Sequence, residues 1–216
     1  MSLALFDLDD TLINGDCASL WGRYMVQRGW VRSDRFIQRE QALMVEYQQG
    51  TLSMEEYMSF TLQPLIGRSI GEVAQGVEDF IDKAIVPVMR ESARRCIAAH
   101  RQKGDRAIVV SASGEHLVAP IARRFGIEET LSIQLEVCDD SYTGNTRGIL
   151  TYREGKVTRL LSLLENEPGA LAGAAFYSDS SNDLPLLQQV GHPYAVNPDD
   201  VLLGHAQLAG WPVLSW

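Results

Sequence analysis

The sequence predicts a doubly wound α/β sheet with a helical insert placed after its first strand. Three observations predict it. Short apolar runs over residues 3–6, 107–110 and 174–177 read as strands buried on both faces, the first reaching Asp7. Helical patterns separate the later runs, and that alternation implies a parallel sheet. Between the first and second runs, residues 17–84 carry helical spacing and nothing that reads as a strand.

In the insert, Phe36, Leu43, Met44 and Tyr47 recur at helical spacing. Ser53 with Glu56, and Ser69 with Glu72, have the spacing of capping boxes. Val73, Val77, Phe80 and Ile81 line one face of the helix that Ser69 opens. After Pro87 a helix over residues 89–103 is expected to stop at Gly104. The 107–110 strand ends at Ser111. A helix follows through Leu117, Ile121 and Phe125, with a kink expected at Pro120. Leu131, Ile133, Leu135 and Val137 alternate with polar residues as a strand does, and residues 142–148 read as a hairpin arm. Val157, Leu160, Leu161 and Leu164 predict a helical face. The 174–177 strand ends at Ser178-Asp179, and a helix begins near Asp183. Residues 194–196 form a short strand, and residues 199–208 a last helix.

The 216 residues are enough for one core and a smaller elaboration. A net charge of −9 argues against a nucleic-acid surface, which needs a basic patch. No apolar stretch approaches the roughly 20 residues of a membrane span, and acidic residues from Asp7 onward exclude a signal peptide. The three cysteines, Cys17, Cys96 and Cys138, have no metal-ligand spacing and read as reduced thiols in a cytoplasmic protein. The charge permits a monomer or a homodimer.

The carboxyl ends of the strands, where such sheets bind ligands, collect an unusual set of groups. The first ends in Asp7-Leu8-Asp9-Asp10-Thr11, the second in Ser111-Ala112-Ser113-Gly114, and a later one in Ser178-Asp179-Ser180-Ser181-Asn182-Asp183. Lys156 opens the helix before that last strand. Asp7 and Asp9 share one side of an extended chain. Like charges that close repel unless a cation lies between them. One carboxylate can attack phosphorus, and a second can move protons. A hard cation with oxygen ligands lets an anion approach a phosphate. A hydroxyl, backbone amides and a lysine hold the charge that develops.

These segments, in this order, resemble the four motifs of the haloacid dehalogenase-like hydrolases. The branch most similar is subfamily IB, the phosphoserine phosphatase-like members, as the Ser111-Ala112-Ser113 form and the tail Val196-Asn197-Pro198-Asp199 with Gly210-Trp211-Pro212 suggest. The resemblance implies a Rossmann-like core of residues 1–14 and 87–216 and a C1-type helical cap of residues 15–86. It implies Asp7 as nucleophile, Asp9 as general acid/base, and Ser111 and Lys156 as the phosphate-holding pair. Asp7, Asp9, Asp179 and Asp183 would bind Mg²⁺, with Asp183 either holding a metal water or orienting Lys156. Asp10, Ala112, Asn182 and Asp16 would contact substrate, although Asp16 equally fits a helix cap. The expected activity is Mg²⁺-dependent hydrolysis of a small phosphate monoester, like phosphoserine or histidinol phosphate, through an aspartyl phosphate. The alternatives are a phosphomutase of the same superfamily and a non-enzymatic regulator. The acid at Asp9 disfavours dehalogenation.

Two departures stand out. The last motif reads Ser178-Asp179-Ser180-Ser181 where the phosphoserine phosphatases that it resembles usually have Gly-Asp-Gly, and serine is less permissive of positive φ. In the cap segment over residues 50–56 and beyond, Thr61 stands where an arginine would hold a substrate carboxylate, with Arg68 the nearest arginine downstream. That favours an amine-bearing phosphate without a carboxylate. Trp21, Met25, Met54, Tyr57 and Met58 are expected as cap core. His116 is expected at the surface, and Arg90, Arg94 and Arg95 on a solvated helix face.

Overall fold

The computed structural model describes residues 2–31, 34–49, 51, 53–164 and 169–216. The side chain of Tyr47, with Gly50 and Leu52 of the cap segment, lies outside the described residues. Seven strands form one sheet: β1 (Leu3–Phe6), β2 (Arg106–Gly114), β3 (Glu129–Cys138), β4 (Ser141–Arg147), β5 (Ala175–Ser178), β6 (His192–Val196) and β7 (Val213–Leu214). Their order is β4-β3-β2-β1-β5-β6-β7, parallel throughout except for the antiparallel β3–β4 hairpin. From β1 the chain builds outward through β2 and β3, then returns to β5 on the other side. That reversal beside β1 is a topological switch point, where a crevice opens at the carboxyl ends.

Alternation within β1 divides the core. Leu3 and Leu5 join Ile108 and Val110 on one face, against α7 (Glu154–Leu163), α8 (Leu184–Leu187) and α9 (Asp200–Ala209). Ala4 and Phe6 join Val109 on the other, against α5 (Glu91–Gln102) and α6 (Glu115–Arg124). That period-two split of an all-apolar strand is why it is buried on both faces.

The chain leaves the sheet after Ile13–Asn14 and comes back at 88–90. There Asn14 N–H donates to the Val88 carbonyl at 2.8 Å and Arg90 N–H to the Leu12 carbonyl at 3.0 Å. Between these points lie α1 (Cys17–Gln27), α2 (Asp34–Gln48), α3 (Met54–Leu62) and α4 (Ile70–Phe80). Ser53 and Ser69 cap α3 and α4, their hydroxyls accepting from the Glu56 and Glu72 amides. Val73, Val77, Phe80 and Ile81 are buried as their spacing predicts. They share one cluster with Leu117, Val118 and Ile121 of α6, so the insert packs on the sheet's helical layer.

Some expectations need correcting. Leu161 is exposed, because Val157, Leu160 and Leu164 already fill the buried face of α7. Val137 is also exposed, on the part of the β3–β4 hairpin that leaves the sheet. Strand β7 is two residues long, too short for periodicity to show. None of residues 178–183 has positive φ, and Ser180 sits at φ −106°, so serine costs that loop nothing.

Candidate active site

A cleft of about 540 Å³ opens at the carboxyl ends of β1, β2 and β5. Asp7, Asp9, Asp10, Asp16, Ala112, Asp179 and Asn182 all line it. Ser111, Lys156 and Asp183 lie just behind, buried against that wall. The predicted residues therefore converge, in two layers.

Lys156 is the pivot of the rear layer. Its ammonium donates to Asp7 Oδ1 at 2.8 Å and to Asp183 Oδ2 at 2.8 Å. Asp183 also accepts from the Ser178 hydroxyl at 2.7 Å, which fixes its carboxylate beside the lysine. Burial alone would lower the Lys156 pKa, but Asp183 and Asp7 more than offset it and hold the ammonium charged. Helix α7 can bring Lys156 here because residue 155 is glycine. A Cβ there would lie 1.9 Å from the Leu150 carbonyl oxygen. Arg153, just before α7, is held at φ 48° and ψ −120°, strain of the kind that collects at functional sites.

Asp7 and Asp9 sit in different surroundings. Burial pushes the Asp7 carboxyl up to about 7, with Lys156 pulling it down and Asp183 and Asp9 pushing it further up. Asp9 is gripped instead by donors. Cys17 N–H reaches its Oδ1 at 2.7 Å and the Ser113 hydroxyl its Oδ2 at 2.8 Å. Ser111 stands 3.5 Å from the same Oδ2, and its oxygen accepts from Ser113 N–H at 3.1 Å. Asp10 turns the chain at φ 52°, facing Arg90 across the cleft wall.

Asp179 accepts from the Thr11 hydroxyl at 2.9 Å, yet burial, then the charge of Asp7, push its carboxyl well above the usual range. A cation would relieve both acids. The donors on offer, Asp7 and Asp179 carboxylates and the Asp9 main-chain oxygen, are all oxygen and suit Mg²⁺. Among the described residues no three His, Cys, Asp or Glu side chains form a ready-made cage, since Lys156 stands between Asp7 and Asp183.

Asn182 accepts from Arg153 Nε at 2.9 Å and from the Tyr152 hydroxyl at 3.1 Å. Asp16 caps α1, accepting from Ser19 N–H, and lines the cleft as well. Burial, then the Asp9 charge, push its carboxyl up to about 8. Ser113 is the residue sequence reasoning passed over, although it shares Ser111's side of the strand by period two. Arg90 is a correction. It leaves the solvated face and donates to the Ile13 and Trp216 main-chain oxygens and to Asn14 Oδ1. Arg94 and Arg95 are exposed as expected. Arg68 is tied to Glu72 and lies over Trp30, 4.2 Å from the ring centroid, away from the cleft.

His116 is a second correction. The residue keeps a little exposure, but both ring nitrogens are sealed from water without a partner. Burial pulls its imidazole down from 6.5 to about 3. Between those values the folded chain binds fewer protons than the unfolded one. This share of stability is therefore complete above pH 6.5 and lost as pH falls below it. Urea titrations should show ~2 kcal/mol of stability lost from about pH 8 to pH 5 that His116→Leu does not lose.

The model of the haloacid dehalogenase-like hydrolase family matches residues 4–188. A histidinol-phosphatase of Neisseria meningitidis serogroup C is 37% identical over 100% of this chain and 99% of its own. A crystal structure of a protein of unknown function from Bordetella pertussis superposes with a TM-score of 0.90 at 36% identity, covering 99% of this chain and 97% of that one. A substrate-bound phosphoserine phosphatase shares the fold at 20% identity, with a TM-score of 0.74 over 99% of this chain and 92% of that one. Among the described residues no helix is long and apolar enough to cross a membrane. With the sheet, its helical cap and a match over most of its length, the chain belongs to the haloacid dehalogenase-like hydrolases.

Proposed function

We propose that the chain hydrolyses the phosphate monoester of a small amino alcohol, using Mg²⁺ and an aspartyl phosphate on Asp7. One observation carries this reading: Lys156 holds Asp7 Oδ1 while Ser113 and Cys17 N–H hold Asp9 separately. The free Asp7 oxygen attacks phosphorus, and the ester P–O bond breaks. Asp9 gives its proton to the leaving alkoxide. Asp9 then takes a proton from the water that attacks the acyl phosphate, releasing phosphate and restoring Asp7. Lys156 and Ser111 stabilise the transferring group, and Asp183 keeps Lys156 in place. Asp7, Asp179 and the Asp9 main-chain oxygen would hold Mg²⁺, which supplies the positive charge an anionic nucleophile needs before an anionic ester. Residues 15–86 act as the cap that selects the leaving group.

The substrate reading follows from charge. The cleft is lined by Asp10, Asp199 and Asp200, which suit an ammonium group, and by Asp16, whose ionised form such a cation would favour. Thr61 donates to the Met58 carbonyl and Arg68 is tied to Glu72, so neither of these two residues is placed as a clamp for a carboxylate. The Neisseria relative is a histidinol-phosphatase, in keeping with that choice. Phosphate release should be measured with Mg²⁺ and with a chelator for histidinol phosphate, phosphoserine, phosphothreonine, sugar phosphates and nucleotides. Histidinol phosphate should lead, and the chelator should stop turnover. Phosphoserine well above the rest would refute the substrate class, and no turnover at all would refute the enzyme.

A further inference from the structure

Behind the cleft lies a second, enclosed cavity, walled by Trp21, Phe36, Tyr57 and Met58 with Glu40 and His116 among them. Tyr57 and Ser113 line both spaces, so the cavity adjoins the place where a leaving group would sit. Four buried side-chain atoms lack a hydrogen-bond partner among the described residues, and three of them are here: Trp21 Nε1 and both His116 nitrogens. Buried polar groups left unpaired are rare and costly, and each needs a reason. Glu40 adds to the imbalance. It is 2% exposed on α2, and among the described residues it has one hydrogen bond, from the Ser19 hydroxyl.

We propose that this cavity receives a flat nitrogen heterocycle carried by the leaving group, with Glu40 and His116 as the residues that read it. This deepens the amino alcohol reading above and rests on it. The aromatic walls offer π faces to a planar ring. A neutral imidazole carries one donor and one acceptor. His116 can therefore pair with either kind of ring nitrogen, while Glu40 accepts from an N–H and Trp21 donates to a lone pair. An aliphatic chain would leave all of them unpaired. As it stands the cavity has about 20 Å³ free, room for one water, so the ring enters by displacing its walls. Met58 and Met25 on that lining are unbranched and repack readily.

The test compares histidinol phosphate with ethanolamine phosphate, which share amine and ester and differ in the ring. The wild type should favour the first by ~100-fold or more in kcat/KM. In His116→Leu and Glu40→Gln that ratio should fall by ~10-fold or more, chiefly through KM. A ratio is insensitive to the fraction of enzyme that folds. A ratio unmoved in both variants, or no preference in the wild type, overturns the inference while leaving the phosphatase reading intact. Calorimetry with histidinol itself needs no turnover. It should bind the wild type and bind His116→Leu ~10-fold more weakly. Equal affinity means the cavity holds only a structural water, and the inference falls even if hydrolysis is real. Failure of both esters to react alongside normal histidinol binding would sink the phosphatase reading and keep the pocket.

Discussion

Asp7→Asn should lower phosphate release by ~10⁴-fold or more and leave the melting temperature almost unchanged. The asparagine keeps the shape and the bond from Lys156 but has no anionic oxygen to attack with. Its effect on stability should be small for a specific reason. Burial already pushes the Asp7 carboxyl up to about 7, a sign that the charge is costly where it sits. Neutralising it removes repulsion with Asp9, Asp179 and Asp183, while Lys156 keeps Asp183 as a partner. Acid-quenched wild-type enzyme should carry a phosphoryl group on residue 7, and the variant none. Activity near that of the wild type would mean that another group attacks phosphorus.

How far the sequence alone reaches can be judged residue by residue. Strand ends were legible because all-apolar runs such as 3–6 stop abruptly at acids and hydroxyls, and parallel sheets bring those ends together. The caps of α3 and α4 were legible because Ser53 and Ser69 act on amides three residues away. What escaped depends on distance along the chain. Arg90 reads as one of three arginines on a helix start. Its bond to the Trp216 main-chain oxygen spans 126 positions, and no local pattern reports it. His116 follows a strand end and looks like surface, but α1 and the β3–β4 hairpin bring Trp21 and Tyr142 within about 6 Å of its ring. Nothing in the local sequence marks Gly155, and only the Leu150 carbonyl beside it shows why nothing larger fits. Chemistry was legible where it is carried by residue type at strand ends. The cavity proposed to read the leaving group was not, because its lining comes from four helices that meet only in the fold.

The largest combined effect is expected at Lys156. Replacing it by methionine keeps the length of the side chain and removes its charge. Asp7 and Asp183 would then face each other in a buried site with no cation between them. Removing one partner of a buried ion pair typically costs ~3–5 kcal/mol, because the other charge stays buried and uncompensated. Urea denaturation should show a loss of that size. Turnover should fall by ~10³-fold or more, since the group that holds charge on the transferring phosphate is gone. The two losses have different origins and should separate. Adding Asp183→Asn to Lys156→Met removes the stranded carboxylate, so the double variant should regain much of the lost stability. It should regain no activity, because the ammonium that steadies the phosphoryl oxygens alongside Ser111 is still missing. If the second substitution restored turnover as well, Lys156 would act only as a counter-ion within the wall. If it restored neither, the buried pair would matter for packing alone, and the Ser178 hydroxyl that now donates to Asp183 would be the next contact to test.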